Sequence, residues 1–507
     1  MAGIYGSGLT SGSGGGLISG VGTENDIAEL TKALSDDGHL ANPLGGLAAG
    51  SDINAPAVHE GVGFPLRVES LDSTLFNVTY RSKDAKFFKS LAKESAANTI
   101  EEFNQLSSYG TGVSTFMEEG DIPTIDDSTY KRNYLKIKYM GVTRRVSHVM
   151  SVVNSAVGDV VARETVNGTL FLLRQLERAL FEGNSDLVPV QFDGLEKLMT
   201  DAFDPTPLAD GMAKGYNDDN CIDLRGSHLD QDKVADLTEV LVSEPNYGSP
   251  SDLWLAPGPM KDLSRALYGK ELYMQPSSPG MFGAAATGLV TPFGNIAFNP
   301  DIFIPTSGLA NAATIGDSAK IPGAPTFQSA ANGRAFSASA TETHKFVAAD
   351  DGAYIYKVVA CNRHGKAAAV ASGAATIDVG AGSEVVAMTI RDSTFSDADR
   401  KATYYEVYRT KAGGAADTAR LILKVKANAA SQDTVIVDMN RFLPGCSKGY
   451  MLTQSSDVIK WKSLAPFTKI PLATIDSSIR WMQLLYGGLL LGAPKKCGMF
   501  INVGPKV

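Results

Sequence analysis

A strand with alternating side chains, followed by one long amphipathic helix, constrains the fold of this chain most. From Tyr130 to Tyr139, large polar side chains alternate with a second row that contains Leu135 and Ile137. From about Ser155 to Glu182, valine and leucine recur at helical spacing, and Gly183 ends the run. At 1.5 Å per residue such a helix is roughly 40 Å long, and its apolar face needs a sheet to cover it. The sequence therefore predicts an α+β protein.

The alternating strand belongs to a predicted two-stranded excursion, residues 99–149, whose tip is a glycine-containing acidic loop from Gly110 to Ser128. An isolated hairpin is only marginally stable in water. We therefore expect this excursion to lie on a partner surface, and a neighbouring copy of the chain is the first hypothesis. The alternative is a solvated surface hairpin with scattered charges.

Charge is distributed unevenly along the excursion. Acidic residues lie near its tip, and basic residues lie toward its stem. One element that carries both signs of charge suits head-to-tail contacts between copies of a chain. The candidate inter-subunit contact residues are Phe116, Glu118, Glu119, Asp121, Lys131, Arg132, Arg144 and Arg145.

The N-terminal region, residues 1–64, is rich in glycine, serine and alanine. Such a segment buries too little apolar surface to offset the entropy of ordering it, so we predict a flexible arm or a leader. One short helix is expected within it, from Glu24 to Leu34. In the next region, residues 65–98, Ser82 is predicted to cap a helix from Lys83 to about Ala96.

The central region, residues 201–319, alternates helical and strand patterns. A helix is predicted from Asp230 to Leu241 and a second from Met260 to Leu267, with Pro257-Gly-Pro as a turn before it. A short buried strand is expected at Leu253-Trp-Leu-Ala, between the two helices. This pattern indicates a mixed α/β domain.

Residues 320–446 have a different pattern. About five to seven short alternating strands follow one another, including Tyr354–Ala360 and Tyr404–Thr410, which is typical of an immunoglobulin or fibronectin III-like all-β sandwich. Residues 447–507 then return to the earlier pattern, and the apolar run from Met482 to Leu491 predicts a buried strand pair or a short core element. The sandwich is therefore interpreted as an insertion.

Two recognised catalytic signatures are missing from the sequence. It contains no G-x-x-x-x-G-K-[ST] phosphate loop and no H-E-x-x-H zinc motif. The six histidines are not at metal-ligand spacing, and the four cysteines lie far apart, as free thiols do in a reducing compartment. We therefore predict no enzyme activity, no catalytic residue, no metal and no cofactor. No apolar run reaches the ~20 residues of a membrane span.

Three sequence motifs occur in order along the chain. Gly183 is followed by Phe192-Asp-Gly-Leu-Glu-Lys-Leu, then by Pro466-Phe-Thr-Lys-Ile-Pro-Leu-Ala, and then by Tyr486-Gly-Gly-Leu with Ala493-Pro-Lys-Lys. With the order of loop, strand and long helix, they resemble tailed-phage major capsid proteins of the Hong Kong 97-type fold. The similarity is greatest to the large contractile-tailed SPO-one/Twort-like group. It covers roughly residues 64–507, and Asn184 and Thr468 depart from the family pattern.

The resemblance implies a domain plan. Residues 1–64 would supply a flexible N-terminal arm that crosses a neighbouring subunit, or a processed leader. Residues 65–98 would form the N-arm helix region, and residues 99–149 the extended loop. Residues 150–200 would form the spine helix and peripheral domain. The axial domain would take residues 201–319, and residues 447–507 would return to the axial and peripheral domains after the insertion.

The resemblance also implies a function. Such a protein self-assembles into hexamers and pentamers that form an icosahedral head around double-stranded DNA, without sequence specificity. The expected partners are further copies of the chain, a portal, a scaffold or maturation protease and decoration proteins, with no membrane. The expected location is the virion capsid, assembled in the host bacterial cytoplasm. The net charge of −9 agrees with a container wall, because non-specific DNA binding needs clustered basic residues.

Two other functions fit parts of the sequence. An encapsulin-like bacterial nanocompartment shares the same fold, but the sandwich and the motifs above count against it. A surface-binding or adhesion protein, built around the immunoglobulin-like region, explains only part of the chain. Some capsids of this fold crosslink themselves through a lysine on the extended loop, but the tip from Thr111 to Ser128 contains no lysine, so we expect no self-crosslinking.

Overall fold

The computed structural model describes most of the chain after residue 78. The described residues are 79–110, 116–120, 122, 125–153, 159–203, 220–244, 246–267, 287–334, 345–393, 397–428, 432–473 and 476–506. The predicted arm or leader of residues 1–64, its helix from Glu24 to Leu34, and Asp121 lie outside these residues.

The described residues form six α-helices and 21 strands. The helices are α1 (Phe87–Ser90), α2 (His148–Val152), α3 (Val160–Glu182), α4 (Leu195–Phe203), α5 (Gln231–Val242) and α6 (Pro257–Leu267). The strands before the sandwich region are β1 (Ala92–Ser95), β2 (Ile100–Ser108), β3 (Thr129–Lys136), β4 (Lys138–Ser147), β5 (Cys221–Asp223), β6 (Asp252–Leu255), β7 (Gly288–Thr291), β8 (Gly294–Pro300) and β9 (Ile315–Gly316). The remaining strands are β10 (Thr326–Arg334), β11 (Gly352–Asn362), β12 (Gly365–Lys366), β13 (Val370–Ile377), β14 (Val385–Arg391), β15 (Tyr404–Arg409), β16 (Arg420–Lys426), β17 (Thr434–Asp438), β18 (Ser447–Leu452), β19 (Ile459–Pro471), β20 (Ser478–Leu491) and β21 (Gly498–Val503).

Helix α3 packs on a four-stranded sheet in the order β1-β19-β20-β4. Its buried side chains include Leu172, Leu176 and Leu180, spaced four residues apart on one face. The helix begins at Val160, five residues later than the sequence pattern predicted, because the Asp159 carboxylate accepts a hydrogen bond from the Val161 N–H at 2.9 Å and caps it.

Gly168 allows α3 to approach the sheet closely. The Gln483 side chain on β20 is fully buried and donates from Nε2 to the Thr165 carbonyl at 2.8 Å. A Cβ atom on residue 168 would lie 2.2 Å from Gln483 Oε1 and 3.3 Å from Arg144 Cγ. The glycine therefore leaves room for this buried hydrogen bond.

We expect Gly168→Ala to destabilise the protein by about 1–3 kcal/mol, because the added methyl group displaces the buried Gln483 amide. Gly258→Ala in α6 is the matched control, since a Cβ there meets nothing within 4 Å. Alanine in that helix is expected to be neutral or stabilising by up to about 1 kcal/mol. Urea unfolding followed by circular dichroism measures both, and equal stability of the two variants would refute this role for Gly168.

A second sheet is mixed and six-stranded, in the order β5-β21-β18-β6-β8-β7. On β6, Leu253 and Leu255 pack in a buried cluster with residues of α5 and α6, whereas Trp254 packs in the cluster that contains Leu176 of α3. Because successive side chains on β6 point to opposite faces of the sheet, this strand contributes to both buried clusters. The two predicted helices and the strand at residue 253 are confirmed. Pro257 begins α6 instead of forming a turn, because proline suits the first helical position.

Residues 315–438 supply two further sheets. One is three-stranded, in the order β10-β14-β17; the other has the order β16-β15-β11-β12-β9, with β13 also paired to β11. A shared core contains residues of both sheets, including Tyr356, Val407, Met388 and Ile436. The predicted strands at Tyr354 and Tyr404 are confirmed as β11 and β15, and the strands of this region pack as two layers.

Two further predicted elements differ from the structure. In place of a helix from Lys83 to Ala96, there is a 3-10 turn at Ser82–Asp84, then the single turn α1, then β1. The reason is tertiary: Ala92–Ser95 pairs in parallel with Lys460–Ser463, and backbone pairing outweighs helix propensity. The alternating segment from Tyr130 to Tyr139 belongs to two strands instead of one, because β3 pairs with β2 whereas β4 pairs with β20.

Candidate inter-subunit surface

The hairpin formed by β2 and β3 is anchored to the rest of the chain at its root. The two strands pair from Ile100↔Lys136 to Ser108↔Thr129. Leu135 and Ile137 are buried in a small cluster with Ala96 and Leu490, and Phe103 packs against it. The alternation predicted from the sequence is confirmed at Leu135 and Ile137, which face this cluster while Tyr134 and Lys136 are exposed.

Ion pairs hold the same root. The Lys462 ammonium, which is almost fully buried, lies 2.7 Å from a Glu94 oxygen and 3.1 Å from a Glu101 oxygen. Lys460 lies 2.6 Å from the other Glu94 oxygen. Hydrogen bonds from the two lysines lower the pKa of Glu94 to about 2, and the pKa of Lys462 is raised by Glu94 and Glu101. The base of the hairpin is therefore fixed on its own subunit.

Beyond the root, the hairpin exposes many large apolar side chains. They are Ile100, Leu106, Tyr109, Phe116, Met117, Ile122, Ile125, Tyr130 and Tyr134. Ile122 is 90% exposed and Ile125 is 87% exposed. A large number of exposed apolar side chains on one element marks an interaction site, because burying them in a partner surface is favourable. This surface, the described part of residues 100–136, is called the hairpin surface below.

Five of the predicted contact residues lie on the hairpin surface. Phe116, Glu118, Glu119 and Lys131 are exposed. Arg132 is also exposed, and it lies 3.4 Å from Glu102 on the paired strand. The hairpin surface thus brings these acidic and basic candidates onto one element.

The two remaining arginines lie on β4, away from the hairpin strands. The Arg144 guanidinium lies 3.6 Å from Glu164 of α3 and over the ring of Phe171, so it has partners within its own subunit. Arg145 is exposed, opposite Arg480 in the pairing with β20, and its charge helps to lower the pKa of Asp476. Their assignment as inter-subunit contacts stays a prediction, and Arg144 has a structural role besides.

Sequence reasoning identified Phe116, the most exposed member of this surface, but it missed the next three, Ile122, Ile125 and Tyr109. The available signal was a set of large apolar residues inside a polar loop between two strands. The candidate contacts were chosen mainly by charge, although exposed ion pairs contribute little free energy to stability. In an interface, buried apolar and aromatic side chains usually carry most of the binding energy.

A close contact of two glycines joins the end of α3 to α4. The Gly194 N–H donates to the Gly183 carbonyl at 2.8 Å. The Asp193 carboxylate accepts from the Ser185 N–H at 2.8 Å, and the Asn184 side chain accepts from the Asp186 N–H at 2.9 Å. The motif of Gly183 and Phe192-Asp-Gly therefore forms one turn, with Phe192 and Leu195 buried in the core.

The described residues contain no cluster of three or more His, Cys, Asp or Glu side chains arranged to hold a metal ion. Within the same part of the chain, no helix has the length and apolar character needed to span a membrane.

Comparison with known proteins identifies relatives. The family model described as the SU10 major capsid protein matches residues 53–355, more than half of the 507-residue chain. The major capsid protein of Staphylococcus phage K is 25% identical over 451 residues, which covers 86% of this chain and 90% of that protein. The putative major capsid protein of Enterococcus phage phiEF24C is 24% identical over the same proportions. Among solved structures, the capsid of the native GTA particle aligns with 89% of this chain and 99% of its own, at 8% identity and a TM-score of 0.43.

Proposed function

The chain belongs to the SU10 major capsid protein family and is a phage major capsid protein located in the virion capsid, and from this we propose how it assembles. Copies of the chain associate into hexamers and pentamers, and these close an icosahedral head around double-stranded DNA. The hairpin surface is the element that reaches a neighbouring copy. The observation that carries this proposal is its set of exposed apolar side chains on a root that is fixed by ion pairs.

The size of the apolar set supports contact with a protein partner. Each large apolar side chain that moves from water into an interface contributes on the order of 1.5–3 kcal/mol. Nine such side chains on one hairpin can therefore drive association even after the entropy of ordering the loop is subtracted. A second copy of the chain is the natural partner, because a shell is built from repeated contacts between identical subunits.

The proposed fold is of the Hong Kong 97 type. The order of hairpin, spine helix α3 and six-stranded sheet supports it. We assign the N-terminal arm to residues 1–98, the extended loop to 99–149, the spine helix and peripheral domain to 150–200, and the axial domain to 201–319 with its return at 447–507. Residues 320–446 are proposed to be an immunoglobulin or fibronectin III-like insertion, as in the SPO-one/Twort-like group.

The insertion is proposed to be fixed on the capsid body. The Lys424 ammonium on β16 lies 3.2 Å from Glu182 at the end of α3. The Ser307 hydroxyl donates to the Leu421 carbonyl at 2.6 Å, and the Leu443 N–H donates to Asn502 on β21 at 2.9 Å. Contacts at separate points along the sandwich support a module that moves with the spine helix.

Further partners follow from the proposed assembly. A head that is filled with DNA needs a portal, and its assembly needs a scaffold or maturation protease; decoration proteins are a third class. Packaged DNA is expected to meet the wall without sequence specificity, since a chain with a net charge of −9 binds nucleic acid poorly. Because Thr111–Ser128 contains no lysine, shell stability is expected to come from buried interface area and not from loop crosslinks.

We expect the double variant Ile122→Ser, Ile125→Ser to assemble only at concentrations about 100-fold higher than the wild type. Both side chains are exposed in the single subunit, so their replacement leaves subunit stability unchanged. In the assembled shell they would be buried, and losing about 3 kcal/mol of apolar burial corresponds to roughly that factor. Sedimentation velocity over a concentration series, with electron microscopy of the products, measures it.

Val347→Ser is the matched control, because Val347 is a large apolar residue, 51% exposed, in the proposed insertion. It is expected to assemble like the wild type. Assembly of the double variant at the wild-type concentration would contradict the role of the hairpin surface. Equal impairment of the control would show that any loss of an exposed apolar side chain acts in the same way.

A further inference from the structure

The chain runs along the spine helix before it reaches the hairpin. The Tyr80 hydroxyl donates to the Leu170 carbonyl of α3 at 3.1 Å, and the Phe88 N–H donates to Glu177 Oε1 at 3.0 Å. The Phe87 ring is fully buried, with its centroid 4.9 Å from that of Phe181. Residues 80–91, called the docked segment below, therefore connect α3 to β1 and the hairpin.

Two buried carboxyl groups meet the docked segment at Phe87 and Phe88. Glu177 lies on α3, and Asp301 follows β8; both have no exposed surface. Asp301 accepts from the backbone N–H of Phe303 at 2.8 Å, and the nearby backbone N–H of Phe87 lowers the pKa that burial raises. Each carboxyl group keeps one buried oxygen, Glu177 Oε2 and Asp301 Oδ2, for which the described residues provide no hydrogen-bond partner. An incompletely hydrogen-bonded carboxylate in such a place favours protonation.

The charged groups that face Glu177 do not compensate its charge. Asp301 adds a second negative charge, and Lys89 is the positive charge that opposes it. The Lys89 ammonium donates to the Ser82 carbonyl, and the Lys86 ammonium, which faces Asp301, donates to the Pro300 carbonyl at 3.0 Å. Burial, together with Asp301, raises the pKa of Glu177 to about 8, and burial also raises the pKa of Asp301.

We propose that Glu177 and Asp301 form a proton-dependent latch that holds the docked segment on the spine helix. While Glu177 carries its proton, the pocket contains at most one charge and the segment stays in place. When both carboxyl groups are charged, their repulsion in a water-poor pocket releases Phe87 and Phe88. The position of the chain that leads into the hairpin is thereby controlled by a proton. This latch acts within one subunit and does not depend on assembly.

The sign of the pH dependence follows from linkage. When the segment is released, Glu177 on α3 is exposed to water and returns to its ordinary pKa of 4.5, whereas in the docked state its pKa is about 8. Between these values the docked state binds one more proton than the released state, so docking weakens about ten-fold per pH unit as the pH rises. From pH 6 to pH 8 the docking constant is therefore expected to fall about 50-fold, and then to level off.

Hydrogen exchange measured by mass spectrometry on the full chain tests the latch. Peptides that cover residues 80–91 are followed from pH 6 to pH 9, with rates corrected for the intrinsic effect of pH on amide exchange. All proteins are compared in the same assembly state, checked by sedimentation. In the wild type, opening of the docked segment is expected to increase about ten-fold per pH unit up to about pH 8. In Glu177→Gln it is expected to stay constant.

Two further variants keep the test decisive. Glu239→Gln, an exposed position on α5, is the matched control and is expected to follow the wild type. Asp301→Asn removes the neighbouring charge, so the increase in opening should level off at a lower pH, and this variant carries the test if Glu177→Gln does not fold. The latch would be refuted if opening of the docked segment in the wild type did not depend on pH. It would also be refuted if the wild type and Glu177→Gln showed the same pH dependence.

Discussion

Gly194→Ala is expected to destabilise the protein by about 3–5 kcal/mol, although it adds a single methyl group. A Cβ atom there would lie 2.6 Å from the Ala179 carbonyl oxygen and 2.7 Å from the Gly183 nitrogen. Both are backbone atoms at the end of α3, so no side-chain rotation relieves the clash. The backbone must separate, and the hydrogen bond from Gly194 to Gly183 is lost with the packing of Phe192 and Leu195.

Gly183→Ala should have a similar effect, because its Cβ would lie 2.4 Å from the Phe192 carbonyl oxygen. Gly308→Ala is the control, since a Cβ at residue 308 meets nothing within 4 Å. Urea unfolding of the three variants measures the difference in the free energy of unfolding. A loss below about 1 kcal/mol at Gly194 would mean that the turn between α3 and α4 tolerates a side chain, and the packing argument would fail.

Asp438→Ala is expected to destabilise the two-sheet region by about 3–5 kcal/mol, because it leaves a buried guanidinium without its counter-charge. Arg409 and Asp438 are each almost fully buried, and Arg409 Nη1 lies 2.6 Å from Asp438 Oδ2. The same carboxylate accepts from the Tyr356 hydroxyl at 2.8 Å. The variant therefore removes a buried hydrogen-bond partner from both Arg409 and Tyr356.

The matched control is Asp433→Ala, which breaks the pair of Asp433 with Arg391 at 2.7 Å. That pair lies at the surface of the same sheets, with the two side chains 37% and 42% exposed. Its removal is expected to change stability by less than about 1 kcal/mol. Unfolding by urea, with hydrogen exchange of β15 and β17 to assign the transition, separates the two variants. Equal losses of unfolding free energy in Asp438→Ala and Asp433→Ala would contradict the argument that an ion pair contributes more when it is buried.

Elements whose pattern agrees with their final environment were predictable from the sequence. The strands that build the two-sheet region alternate because one face of each lies in a shared core, as Tyr354, Tyr356 and Val358 do on β11. Helix α5 was predicted within one residue, since Val234, Leu237 and Leu241 recur at helical spacing and Asp230 caps it. In these elements the local sequence pattern and the packing in the folded protein favour the same secondary structure.

Elements that depend on distant partners were not predictable. Ala92–Ser95 has no strand pattern, and it becomes β1 only because Lys460–Ser463, more than 360 residues later, offers a free backbone edge. The break between β3 and β4 at Ile137 has a similar cause, since the residues before it pair with β2 and the residues after it pair with β20. The spacing of apolar residues along a segment does not indicate which distant strand that segment will pair with.

The candidate surface was predictable in location but not in chemistry. Residues 99–149 were identified from alternation and from the lack of a nearby core, and the exposed apolar side chains lie there. The charged candidates were chosen from sequence order alone, so the pairing of Arg144 with Glu164 of its own subunit could not be foreseen. Glu177 was also missed, because nothing in a helical pattern indicates that one glutamate will face a buried aspartate.

The most direct measurement of the central claim is a cryo-electron microscopy reconstruction of the particles that the purified chain forms. We predict a closed shell of hexamers and pentamers in which the hairpin, residues 100–136, lies across an adjacent copy and covers Ile122 and Ile125. A shell whose hairpins remain in solvent, or contact only their own subunit, would contradict the role proposed for this surface. A chain that stays monomeric even when its expected scaffold is co-expressed would contradict the proposed self-assembly.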